Sequence, residues 1–124
     1  MKPLLILILP ILLLFSCKQE DPVNEPAPVY NYKISYRLTT NATKCKILYA
    51  YYSDGSWRSA ADTVYDGNFD FEYNVPSDVI RQHKNYGISA DDMISNTATI
   101  NLSMHLNDFL HDTASGKGYA EIKP

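Results

Sequence analysis

The chain has 124 residues, of which 45% are hydrophobic, with 11 lysines and arginines against 14 acids and a formal charge of −3. That length builds one hydrophobic core and not two. The mildly acidic balance, with its bases scattered, argues against nucleic-acid binding and against electrostatic docking on anionic lipid.

Met1-Lys2 is a short basic start, and Leu4 to Phe15 is almost wholly apolar. Leu14-Phe15-Ser16-Cys17 then sets a small residue before a cysteine, which is the layout of a bacterial lipoprotein signal over residues 1–16. A thiol just past an apolar run lies at the membrane surface, where it can accept a diacylglycerol and acyl chains such as palmitate. Cleavage before Cys17 leaves a lipidated N-terminus and 108 of the 124 residues, and the loss of Lys2 moves the charge from −3 to −4. A transmembrane helix is the bland alternative. Twelve helical residues reach only about 18 Å of a hydrocarbon core of about 30 Å, and Pro10 interrupts them. An ordinary secretory signal is the nearer rival, because Phe15 is bulky for its position.

Residues 17–29 carry the lipidated cysteine and then KQEDPVNEPAPV, a tract rich in proline and acid that buries no core and serves as a tether. Lys18-Gln19-Glu20-Asp21 resembles the charged tract that follows the lipidated cysteine in some Gram-negative bacteria and directs export to the outer face of the outer membrane. The expected location is therefore the outer membrane, lipid-anchored at the cell surface, with its periplasmic face as the alternative. With Cys17 lipidated, Cys45 has no partner for a disulfide, and its alternating surroundings make it a small core residue.

From Tyr30 the pattern has period two. Tyr30, Tyr32, Ile34, Tyr36 and Leu38 alternate with polar residues, and Cys45, Ile47, Tyr49 and Tyr51 repeat the pattern after the turn Thr40–Thr43. Asp54-Gly55 is a hairpin signal, with Trp57 to Tyr65 as the return strand, and Asp66-Gly67 is the next such turn. Phe69, Phe71, Tyr73 and Val75 follow. Pro76-Ser77-Asp78 breaks the sheet, and residues 77–84 hold a helical turn capped by Ser77 or Asp78. Residues 86–90 form a short strand. Ala98 to Leu106 make the longest alternating run, paired through Asn107-Asp108 with Phe109-Leu110-His111. Residues 115–118 loop into a last strand at 119–122. Ten tyrosines suit half-buried sheet positions. The whole reads as an all-β, antiparallel, immunoglobulin-like β-sandwich of seven or eight strands over 30–124, preceded by a signal peptide and tether.

The segments ILYAYYSDGSW, YNVPSD, YGISADD and ATINLSMHLNDFLHDTASGKGYAEI together resemble small envelope lipoproteins and membrane-anchored proteins of the MmpS type. The resemblance covers most of residues 30–122. It rests on a hairpin at Met104–Asp108 and a Ser/Thr-Gly segment at Ser115–Tyr119 that leads the final strand. Asp108 stands where glycine is usual, and one extra residue precedes Tyr119. The resemblance implies a non-enzymatic accessory protein beside a lipid-exporting transporter, with no catalytic residues to carry over.

Chemistry-bearing motifs are sparse. In a two-residue hairpin Met104 pairs with His111, so His105 and His111 point to opposite faces and disfavour a shared metal. Asp91-Asp92 with Asn96 could bind calcium but lacks the spacing of a calcium loop. No nucleophile motif is present, and the expectation is no enzyme, no metal and no cofactor. Asp62-Thr63-Val64 and Asp112-Thr113-Ala114 resemble an O-glycosylation acceptor, with Thr63 and Thr113 as its sites. Tyr52 and Trp57 flank the Asp-Gly turn, as a sugar-stacking platform or as plain cross-strand partners. The expected function is an accessory or structural envelope lipoprotein, held to the membrane by its lipid and binding an envelope protein such as a transporter. A surface glycan-binding module is the alternative.

Overall fold

The computed structural model describes residues 30–124; the expected signal peptide and tether lie outside them. Eight strands and one short helix follow in chain order: β1 (Asn31–Thr40), β2 (Lys44–Ser53), β3 (Ser56–Tyr65), β4 (Phe69–Pro76), α1 (Ser77–Gln82), β5 (Gly87–Asp92), β6 (Thr99–Leu106), β7 (Phe109–Lys117) and β8 (Tyr119–Ile122). They form two four-stranded antiparallel sheets, ordered β4-β1-β6-β7 and β3-β2-β5-β8. The all-β sandwich of eight strands is thus the fold. Its first strand lies inside a sheet, bonded to both β4 and β6, whereas the constant-type immunoglobulin order puts the first strand at an edge.

Period two decides which side chains meet between the sheets. Ile34, Tyr36 and Leu38 of β1, Cys45 and Ile47 of β2, Ile88 and Ala90 of β5, and Ile100, Leu102 and Met104 of β6 are all buried in one core. Each fully buried large apolar side chain contributes about 1.5–3 kcal/mol. The alternating residues Arg37, Thr39, Asn101, Asp70 and Glu72 stay exposed on the outer side.

Two turns behave as read. Asp54 (φ 51°) and Gly55 (φ 81°) close β2 on β3, and Asn107 (φ 50°) and Asp108 (φ 68°) close β6 on β7. Others differ. Asp66-Gly67 is not a hairpin, because β3 and β4 belong to different sheets and the chain crosses the sandwich there. Pro76 occupies the cap of α1 with no side-chain cap bond, and Ser77 Oγ instead accepts Tyr30 N–H at 3.0 Å. Residues 115–117 are strand, so β7 runs its full length along β6. A bulge between Met104 and His105 pairs Met104 with Asp112 rather than His111. The extra residue is His111, whose Nε2 lies 3.5 Å from Tyr86 Oη.

Gly118 alone links β7 to β8 and carries the chain from one sheet to the other at φ 77°. Its N–H donates to Ala98 O and its carbonyl accepts Asp92 N–H, both at 2.8 Å. A side chain there would meet Asn96 O at 2.4 Å, so only glycine fits.

Candidate functional site

Three of the four sheet edges are blunted. β4 exposes Asp70, Glu72 and Asn74 and ends in Pro76; β7 carries the bulge; β8 is four residues long. The fourth edge, β3, carries the exposed charges Arg58 and Asp62 but runs ten residues beside β2 with no register break and no proline. Counted from the two-residue turn, ladder bonds fall on alternate pairs, so Trp57, Ser59, Ala61 and Thr63 turn their backbone groups away from β2. Thr63 N–H is closed by Asp62 Oδ1 at 3.0 Å. Ser59 and Ala61 carry small side chains that leave their backbone groups uncovered.

Between β2 and the edge strand β4 lies a seam of half-buried rings. Tyr49 sits 4.7 Å from Phe71 and 5.4 Å from Phe69, and Tyr51 sits 5.8 Å from Phe71, all between centroids. Trp57 meets Tyr73 edge-on at 6.2 Å and Tyr52 at 5.6 Å and 74°. Tyr52 and Trp57 are therefore register partners that pack on one another, and each is half-buried against the core. The Trp57 Nε1–H is enclosed and has no acceptor.

The outer face of the other sheet holds a polar groove of about 460 Å³ lined by Ser35, Arg37, Thr39, Asn68, Asp70 and Glu72, among others. Arg37 Nε lies 3.7 Å from Asp70 Oδ1, with both side chains exposed.

The remaining expected residues are dispersed. Cys17 and Lys18, Gln19, Glu20 and Asp21 lie outside the described residues. Thr63 and Thr113 stand exposed on the edge strands β3 and β7, and each N–H is held by the preceding aspartate, Asp112 Oδ1 accepting from Thr113 at 2.8 Å. Asp92 turns its carboxylate onto its own loop. Its carboxylate accepts Ser95 Oγ–H at 2.6 Å and the N–H groups of Ile94, Ser95 and Ala98, which hold its carboxyl well below the usual range. It is the knot of the 93–98 loop, while Asp91 is exposed. His105 lies half-buried with Nδ1 unpaired, and His111 is exposed. Cys45 is buried and free, and burial pushes its thiol up. Among the described residues no three His, Cys, Asp or Glu side chains gather as metal ligands, and no helix is long and apolar enough to cross a membrane.

Comparison with protein families, curated proteins and solved structures finds no match to the chain. The open edge and the groove were missed by the sequence reading. Ser59-Ala60-Ala61 reads as strand without saying which side of it is unpaired, and nothing in the order of Arg37 and Asp70 announces the groove.

Proposed function

We propose that this protein is a non-catalytic, lipid-anchored accessory or structural protein of the bacterial envelope that binds another envelope protein. The observation that carries the reading is the uncovered edge of β3 at Ser59 and Ala61, beside the ring seam of Tyr49, Tyr51 and Phe71. A partner strand laid on that edge gains main-chain hydrogen bonds, and its side chains cover the seam. Thr63, closed by Asp62, sets where such pairing stops.

Photo-crosslinking residues placed at Ser59 or Ala61 in living cells should give one discrete adduct with an envelope protein. Ala61→Pro, which removes an outward N–H and suits an edge strand, should abolish that adduct at unchanged thermal stability. An adduct that survives the proline places the partner elsewhere. The glycan-binding alternative draws on the groove around Arg37, whose hydroxyl, amide and carboxylate lining suits a polyol. Titration with glycans against Arg37→Ala tests it, with unchanged binding as the negative result.

A further inference from the structure

Eight large apolar side chains are exposed on the described residues, and the most exposed is Phe109, at 78%, followed along the chain by Leu110 at 63%. They open β7 at the tip of the β6–β7 hairpin. Adjacent strand residues point to opposite faces, so this tip is apolar on both sides.

The tip is held firmly to β1. Asn107 N–H donates to Lys33 O at 2.8 Å, Lys33 N–H donates to Asn107 Oδ1 at 2.9 Å, and Lys33 Nζ pairs with Asp108 at 2.7 Å. The acid nearest to Phe109 is thereby neutralised. β1 is also the strand that residues 1–29 run into. Tyr30, itself 63% exposed, stands three residues beyond Lys33, or about 10 Å along the strand. The exit of the tether and the apolar tip thus share one end of the sandwich.

The other end also exposes apolar groups, namely Tyr65, Met93 and Ile94. What separates the two ends is the tether. Twelve residues lie between Cys17 and Tyr30. They can span at most about 40 Å. The ten-residue strand β1 is itself about 33 Å long. The Tyr30 end, where the tether joins, meets the bilayer at any span, whereas the Ile94 end meets it only if nearly the whole contour runs back along the domain.

We infer that the hairpin tip, through Phe109 and Leu110, inserts into the lipid surface on which the chain is anchored. The inference rests on the lipid anchor at Cys17. An aromatic ring and a leucine beside a neutralised acid suit the bilayer interface, and the second contact fixes the orientation of the domain.

The test uses the full lipidated chain in phosphatidylcholine vesicles carrying brominated lipid. Phe109→Trp should add emission that the bromines largely quench, while Ile94→Trp should add emission that they leave intact, each read against the Trp57 background. Unquenched Trp at 109, or stronger quenching at 94, overturns the inference and leaves the anchor standing. A chain that does not float with the vesicles overturns the anchor reading, and the inference with it.

Discussion

Tyr73 donates its hydroxyl proton to Tyr36 across 2.8 Å inside the core. The direction follows from the other partners of Tyr36. Its own proton goes to the Ala50 carbonyl at 2.7 Å, and it accepts Gly87 N–H at 3.0 Å. Ala50 and Gly87 are the last register pair of β2 and β5, so a hydroxyl from the opposite sheet stands in their ladder. Removing it by Tyr36→Phe takes this partner from the half-buried Ala50 carbonyl and Gly87 N–H and from the buried Tyr73 hydroxyl. Denaturant unfolding should show a loss of about 2–4 kcal/mol. Tyr73→Phe removes only a donor and should cost about 1 kcal/mol. Equal losses would mean that the proton order is reversed.

Cys45 should resist modification. Its thiol is buried and burial pushes its ionisation up, so little thiolate exists at neutral pH. A maleimide should label it only after denaturation. Fast labelling of the native protein would contradict the register of β2.

Asp92 gives the fold an acid limb. Its carboxyl is held low by Ser95 and by the N–H groups around it. A depressed folded value stabilises above the unfolded pKa of about 3.9 and loses that contribution as pH falls toward the folded value. Thermal midpoints should therefore drop steadily below about pH 4. In Asp92→Asn the midpoint should be lower at pH 7 and that part of the slope should be gone. An unchanged acid limb would assign it to other carboxylates.

The strands were legible because each alternation puts one face in the core. Ile34, Tyr36 and Leu38, or Ile100, Leu102 and Met104, leave little freedom. Asp-Gly and Asn-Asp announced two hairpins through their tolerance of positive φ. What local pattern does not carry is which strands share a sheet. Asp66-Gly67 has the same residue types as a hairpin turn and makes a crossing, because β4 pairs with β1 across a long sequence gap. The bulge at His111 escaped because residues 109–113 are all exposed, so no buried alternation marks the phase shift there. Asp92 read as a candidate ligand since sequence shows a carboxylate but not the four donors that surround it. Of the proposed binding surface, Tyr52 and Trp57 were visible as a pair. The open edge was not, since an edge exists only once the sheet order is known.

Gly118→Ala should be a costly substitution for its size. It adds a methyl where φ is 77° and where Asn96 O lies 2.4 Å away. Strain and overpacking together predict a loss of about 2–4 kcal/mol, measured by chemical unfolding. A loss below about 0.5 kcal/mol would show that the 93–98 loop yields freely.

The central place of β1 has a mechanical consequence. A pull on the N-terminal end is transmitted along β1, which is laced on both sides to antiparallel neighbours and pinned across the sandwich by Tyr36. Its ladder bonds lie perpendicular to the load. They must therefore fail together in shear, where an edge strand pulled from its end could peel away one bond at a time. A domain hung by this strand resists traction at the point where traction arrives.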